Sequence, residues 1–409
     1  MEGARDGAAC GRPAESVGCP PVSEPSEGAP GGPPDPAPPR TGSGTGATPL
    51  RVERLATRGF RNLGETLLAP GPAFNVIHGD NGAGKSNLLE ALHYLGALKS
   101  FRGAKTDDLI GLDAERALVQ AKISGEAAPR IFRVLLERRK ARRLQLDGKR
   151  PRSIATWHGA LQVVLFHPGD LTLAMGSPEP RRAFLDRILE QMDATYAAAL
   201  STYSKALRSR NRLLKLEQLD RRSITAYDAI LCQAGEVIGQ TRARLVDDIA
   251  PRAEQAFASV AGVELPLEVR YEPRVEPTQE AIRAALAKAW EKDRARGFTA
   301  DGPHGDDLAL RVREGVKARH HASQGQHRAI VLALKVAELD VLTARIGRVP
   351  ILLLDDVSSE LDRSRNRRLF ALLRQLGGQV FLTTTHPEFI LLEEDRVDFR
   401  VEAGSIEGD

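Results

Sequence analysis

The chain has 409 residues, 42% apolar and 27% charged, ordinary proportions for a soluble globular protein with room for two or three lobes. Its formal net charge of +4, carried mostly on arginine, suits a polyanionic partner without requiring one. Three cysteines (Cys10, Cys19, Cys232) without a CxxC pair suggest neither a zinc site nor a disulfide framework. No apolar run reaches the ~18 residues that span a bilayer, and "MEGARDGAACGRP" lacks the apolar core of a signal peptide. The expectation is a cytoplasmic protein with no membrane partner.

Residues 1–48 are rich in Pro, Gly, Ser and Glu and poor in large apolar side chains, so they are expected to form a disordered tail. "LRVERLAT" and "AFNVIHG" predict two strands. From Lys85 onward Leu88, Leu89, Leu92 and Leu95 recur at helical spacing. Basic hairpin candidates follow over 117–166, with a turn signal at Asp147–Gly148. Pro178 to Gly262 predicts long amphipathic helices, "VELPLEVRYEP" a short strand, and "TQEAIRAALAKAWEKDRARG" another helix. "DDLALRVREG" returns to strand alternation. A helix from about His327, the buried strand "PILLLDD", a helix near 363–376 and the strand "QVFLTTTH" complete the chain.

"GDNGAGKS" fits G-x-x-x-x-G-K-[ST] and sits between a predicted strand and a predicted helix. Over Gly79, Asp80, Asn81, Gly82, Ala83, Gly84, Lys85, Ser86 and Asn87, such a loop turns successive N–H groups onto the phosphates of ATP. Lys85 adds a positive charge, the Ser86 hydroxyl is a Mg2+ ligand, and the helix N-terminus reinforces the anion site. In "ILLLDD", Asp355 can hold Mg2+ through water. Asp356 can orient and polarise an attacking water. Ser323, Gln324, Gly325 and Gln326 open a helix rich in Leu, Ala and Val, which is either an ordinary N-cap or a second anion-binding surface.

This set resembles the ABC-type ATPases, in which two subunits sandwich two nucleotides. The resemblance makes Ser323–Gln326 a signature motif acting in trans, Asp362 the D-loop aspartate and His386 the switch histidine that joins Lys85 and Asp356 in catalysis. It implies an α/β head lobe with an inserted, mainly helical second lobe. The expected boundaries are 49–170 and 298–409 for the head and 171–297 for the helical lobe.

Asp355 lies about 270 residues after Lys85, more than a transporter subunit allows, and the intervening helices are too short for the long coiled-coil arm of SMC proteins. "FRNL", "GDNGAGKSNLLEAL", "VVLFHPGDLTLAMGSPEPRRAFLD", "DGPHGDDLAL", "SQGQHRAIVLALKVAEL" and "PILLLDDVSSELD" together resemble the RecF family of bacterial recombinational repair proteins, from about Leu50 to Glu402. The resemblance implies an ATP-dependent homodimeric clamp on double-stranded and gapped DNA. It also implies work with RecO and RecR to load RecA, and slow ATP hydrolysis used as a switch. Gly305 stands where the family usually has Arg, His327 where Gln is usual, and His167 and Asp170 occupy the neighbourhood of the Q-loop glutamine. Candidate phosphate contacts on DNA are Arg138, Arg139, Lys140, Arg142 and Arg143, then Arg181 with Arg182, then Arg208, Arg210 and Arg212. Two other classes are weighed against this reading. A transporter ATPase would lack the repair-type stretches, and a nucleotide-sensing scaffold without hydrolysis would lack Lys85 or Asp356.

Overall fold

The computed structural model describes residues 47–125, 128–218, 221–261, 266–313, 315–356, 363–390, 392 and 394–408. The chain opens with β1 (Thr48–Pro49), β2 (Arg51–Arg58), β3 (Thr66–Leu68) and β4 (Phe74–His78), then α1 (Lys85–Ala97). Next come β5 (Arg116–Ser124), β6 (Arg130–Glu137), β7 (Arg143–Leu146), α2 (Ile154–His158) and β8 (Val163–Phe166). A helical stretch follows: α3 (Leu171–Met175), α4 (Pro178–Met192), α5 (Ala194–Leu213) and α6 (Arg221–Ala261). After it come β9 (Leu267–Glu272), α7 (Gln279–Lys288), α8 (Trp290–Arg296), β10 (Asp307–Val312), β11 (Val316–Lys317), α9 (Ala318–His321) and α10 (Gln324–Ile346). The last part holds β12 (Arg348–Val349), β13 (Ile351–Asp355), α11 (Arg363–Leu376), β14 (Val380–Thr384), β15 (Arg396–Glu402) and β16 (Ser405–Gly408).

The central sheet runs β16-β15-β4-β14-β13-β8, parallel except for the β15–β16 pair. Its strands come from both ends of the sequence, and β4, β14, β13 and β8 are buried on both faces, as a covered parallel sheet requires. Alternate side chains feed two different cores. Val76, Val164, Phe166, Leu352, Leu354 and Leu382 join the helices α4, α5, α6 and α10 on one face. Ile77, Val163, Leu165, Ile351, Leu353 and Phe381 join α1 and a second sheet on the other. That second sheet, β3-β2-β5-β6-β7, is antiparallel, with Val119, Phe132 and Val134 turned inward. The helical stretch therefore shares its core with one face of the central sheet.

Two details differ from the sequence reading. The helix placed from His327 starts at Gln324, because Ser323 caps it. The β15–β16 hairpin at the C-terminus, unread in the sequence, completes the sheet beside β4.

Candidate active site

The loop after β4 is held open by glycine. Gly79 (φ 145°), Gly82 (φ 82°) and Gly84 (φ 123°) all take positive φ, where a Cβ is penalised. At Gly79 the constraint is also steric: a Cβ would lie 2.2 Å from the Val401 carbonyl oxygen of β15. α1 then begins at Lys85 with Gly84 as its N-cap and no capping side chain, so its first N–H groups remain for a ligand. Lys85 is buried, and its Nζ donates to the carbonyls of Gly79 (2.7 Å) and Asp80 (2.8 Å). Burial lowers its pKa, against the pull of Asp356, Asp355 and Asp80.

"FRNL", quoted above only as a resemblance, braces this loop. Asn62 Nδ2 donates to Gly82 O at 3.1 Å, and Asn62 Oδ1 accepts from Asn87 Nδ2 at 2.7 Å. Arg61 forks onto Glu90 of α1 at 2.9 and 3.1 Å, and the Glu90 side chain is fully buried.

β14 lies between β4 and β13 and joins their carboxyl ends. Thr383 pairs with Ile77 on one side and Asp355 on the other. Its Oγ1 donates to Asp355 Oδ1 (2.8 Å) and accepts from the Asp356 N–H (3.0 Å). Asp355 is buried, whereas Asp356 stands at φ 52°, a left-handed conformation uncommon outside glycine. A cleft of about 200 Å3, open to solvent, lies between the loop and Asp356. Asn81, Gly82, Gly84, Lys85, Ser86 and Asn87 line it with Asp356, Thr383, Thr385 and Arg102. Arg102 was missed in the sequence. Its Nη1 donates to Asn87 Oδ1 at 2.8 Å, which adds a cation to the phosphate side of the cleft.

The residues present fit a triphosphate with a hard divalent ion. A buried ammonium lies beside an uncapped helix start, with a hydroxyl and two carboxylates at the neighbouring strand ends. Among the described residues no three His, Cys, Asp or Glu side chains cluster as a metal site. Ser86 and Asp355 would therefore hold Mg2+ together with phosphate oxygens and water rather than alone.

Ser323–Gln326 and His386 are not among the residues that line this cleft. Ser323 and Gln324 are exposed, and Ser323 forms a capping box with Gln326: Ser323 N donates to Gln326 Oε1 (2.7 Å) and Gln326 N to Ser323 Oγ (3.3 Å). Gly325 is half-buried in the first turn behind them. His386 follows β14 with an exposed ring, its Nδ1 3.0 Å from Glu388 Oε1. Asp362 lies outside the described residues.

Several candidate DNA contacts have other tasks. Arg210 is wholly buried between Asp228 (2.6 Å) and Asp293 (3.0 Å). Arg181 is buried in a two-bond fork on Asp307 (2.7 and 3.0 Å). Neither can reach DNA, because each is sealed beside a carboxylate, and the expectation is corrected for both. Arg182 is half-buried and donates to Asp306 O at 2.7 Å. Arg138 is half-buried on the carbonyls of Gly111 and Ala114, and Arg142 donates to Leu98 O. Lys140 and Arg143 both pair with Glu137. Arg139, Arg208 and Arg212 are exposed.

The family model described as RecF/RecN/SMC N terminal domain matches residues 51–403. The chain is 36% identical to the DNA replication and repair protein RecF of Geobacter sp. (strain M21), over 87% of this chain and all of that one. It is 39% identical to the protein of the same name from Anaeromyxobacter sp. (strain Fw109-5), over 87% of this chain and 99% of that one. This chain belongs to the RecF family. A solved structure of the recombination mediator protein RecF with ATP, in the RecFOR pathway, superposes with a TM-score of 0.82 at 28% identity, covering 89% of this chain and 98% of that one. A Pyrococcus furiosus Smc head domain shares the fold at TM-score 0.52 and 17% identity, covering 88% and 96%.

With the RecF-family assignment in place, the two stretches that set it apart from generic ATPases turn out to be partners. "GSPEPRRAFLD" supplies Arg181, Arg182 and Asp186; "GPHGDDL" supplies Pro303, Asp306 and Asp307. Besides the Arg181 and Arg182 bonds, Arg242 of α6 bridges Asp186 (2.8 Å), Asp306 (3.3 Å) and Pro303 O (2.7 Å). Tyr271 also donates to Asp306, whose burial raises its pKa despite these donors. At Gly305 a Cβ would meet the Arg274 side chain at 3.0 Å, so Arg274 occupies the neighbouring space. These stretches join α4 to the start of β10 in this RecF-family protein, the segment that leads to Ser323.

Proposed function

We propose that the protein is a RecF-type DNA repair ATPase in which ATP joins two copies into a clamp on double-stranded and gapped DNA. The observation that supports this is the separation of the site into two halves. Lys85, Ser86 and Asp356 border one cleft, with Asp355 buried behind it, while Ser323 and Gln324 are exposed at a helix tip outside it. A second copy would bring its Ser323 turn, an N-terminal anion surface, against the phosphate end of the first copy's nucleotide.

In this reading Mg2+ supplies charge neutralisation on the phosphates. The chain's own residues do the rest. The Gly79–Ser86 backbone and Lys85 hold the β- and γ-phosphates, Ser86 and Asp355 hold the metal, and Asp356 orients the attacking water. Thr383 fixes both aspartates, and His386 and Asp362 act at the γ-phosphate and across the dimer. The ATPase is weak and DNA-dependent and serves as a release switch. The partners are RecR and RecO, and RecA indirectly, in the cytoplasm. ATP-bound RecF structures and RecF relatives of full length support this reading.

The test is sedimentation of the wild type and Ser323→Arg with ATP, with ADP and without nucleotide. The wild type should dimerise only with ATP, and the variant should bind ATP as a monomer. A variant that dimerises normally would reduce Ser323 to a helix cap. A transporter-type role would show instead as co-purification with a membrane permease and no affinity for DNA.

A further inference from the structure

The solvent face of the antiparallel sheet was not read in the sequence, because its charges lie on four strands. The register collects them into rows. Arg51 faces Ser124, and Arg54 faces Lys122, which faces Ile131. Ala56, Gln120, Arg133 and Gln145 form the next row, and Arg58, Leu118, Leu135 and Arg143 the one after it. Arg116 opposite Glu137 closes the face. With Glu53 included, this makes seven cations against two carboxylates, an excess of five on one face, in a chain whose whole net charge is +4. Both carboxylates are already countered, Glu53 by Lys122 at 2.6 Å and Glu137 by Arg143 at 2.5 Å. Among the described residues no carboxylate pairs with Arg58, Arg116 or Arg133, and all three are exposed. A bare Arg ladder on a sheet is a fork-shaped phosphate receptor without a ligand of its own.

We infer that this face is a track for the backbone of duplex nucleic acid, an inference that rests on the DNA-clamp reading above. Its dimensions suit a duplex. Arg58 and Arg143 stand three strands apart, about 14 Å, and Arg54 and Arg58 four residues apart, about 13 Å. Between the arginines lie Leu118, Leu135, Ala56 and Gln120. Among the described residues of this face no Phe, Tyr or Trp points outward, so a single strand would find nothing to stack on. The contacts are therefore to phosphate and carry no sequence preference. The track is also one turn away from the residues that brace the nucleotide cleft. β2 ends at Arg58 and runs through Gly59 into Arg61 and Asn62, the residues that brace Gly82 and Glu90.

The experiment measures fluorescence anisotropy of a 30-base-pair duplex and of a 30-nucleotide single strand across salt, with the full chain and ATP. It compares wild type, Arg58→Gln/Arg133→Gln and Arg58→Glu/Arg133→Glu. Each neutralised phosphate contact contributes about 0.9 to the slope of log K against log salt, so the Gln pair should flatten it by about 2. The Glu pair should weaken duplex binding at least tenfold, with ATP binding and ATP-driven dimerisation unchanged. Duplex binding equal to wild type in a Glu pair that still dimerises would overturn the track and leave the clamp reading standing. Loss of binding to an acidic polypeptide with duplex binding intact would also overturn it, by assigning the face to a protein. A wild type that binds no duplex in any nucleotide state would remove the clamp reading itself, and the track with it.

Discussion

Lys335, on the helix behind Ser323, lies 3.6 Å from Asp170, which follows the strand beside the "ILLLDD" strand. The Lys335 side chain is fully buried and that of Asp170 6% exposed. Glu338, one turn further along α10, is 3.2 Å from Lys335 and 3.6 Å from Arg187 of α4. Four charges thus tie α10 to the sheet edge and to α4 at positions where apolar side chains would pack with less desolvation. The Asp170 carboxyl is desolvated by burial, yet Lys335, His167 and Arg187 hold it below its ordinary range.

Removing one member should cost more than removing two. Lys335→Met takes away the ammonium that Asp170 and Glu338 share, leaving Glu338 with Arg187 alone, and is expected to destabilise the fold by about 3 kcal/mol. Adding Asp170→Asn keeps the hydrogen bond from the His167 N–H and leaves the Glu338–Arg187 pair intact, so it should recover about 1 kcal/mol or more. Urea unfolding of the two single variants and the double closes the cycle. Strictly additive costs would show that the 3.6 Å approach carries no coupling.

Much of this was legible in the sequence, for identifiable reasons. Gly79, Gly84, Lys85 and Ser86 announce a phosphate loop because the spacing and the strand–helix context are local properties of the chain. Leu352 and Leu354 on one face and Ile351 and Leu353 on the other announce a covered strand, because both faces are apolar. The residues that were missed act across long separations. Asn62, Arg102 and Thr383 meet the nucleotide cleft only once β2, α1 and β14 converge. Arg181 and Arg210 read as candidate DNA contacts because a sequence shows that a residue is charged and hides its partner; Asp307 lies 126 positions from Arg181 and Asp293 lies 83 from Arg210.

Acid should weaken the fold from about pH 6.5 downward through buried histidine. His93 of α1 is fully buried, its Nδ1 3.1 Å from Lys99 O and its ring edge-on to Phe101. Burial, reinforced by the nearby charges of Arg187 and Lys335, pushes its pKa down from 6.5 to about 3. A depressed histidine is neutral when folded and protonates when unfolded. Its stabilising contribution is therefore complete above about pH 6.5 and is lost as pH falls toward 3, by up to roughly 1.4 kcal/mol per pH unit. His158, His167 and His304, lowered first by burial as well, add to the slope. His93→Asn, which retains an N–H for Lys99 O, should reduce the slope between pH 6 and 4.5 by about one proton in denaturant titrations. An unchanged slope would mean that His93 is protonated in the folded protein.

Gly79→Ala tests the loop sterically. The new methyl would meet the Val401 carbonyl at 2.2 Å and sit at φ 145°. Either β15 or the loop must shift. The expected result is a loss of about 2 kcal/mol in stability together with at least a tenfold weaker ATP affinity, read by thermal melts with and without nucleotide. Gly82→Ala, also at positive φ but with open space around its Cβ, should cost less. Equal effects at both positions would remove the contact with β15 from the explanation.

Asp356 separates stability from turnover most sharply. Its φ of 52° is a conformation that glycine adopts freely and aspartate does not, so the side chain is kept there at a conformational cost of about 1 kcal/mol. Asp356→Gly should relieve that cost and leave the melting temperature equal or higher. It should also slow hydrolysis by roughly 100-fold or more if Asp356 orients the attacking water as proposed above, because that carboxylate is gone. Asp356→Asn, which tolerates the same backbone and still offers an oxygen, should retain ATP binding and accumulate ATP-bound dimers. Single-turnover hydrolysis beside calorimetry distinguishes the outcomes. A glycine variant that is more stable and fully active would show the strained backbone to be incidental and would move the general base elsewhere on the cleft wall.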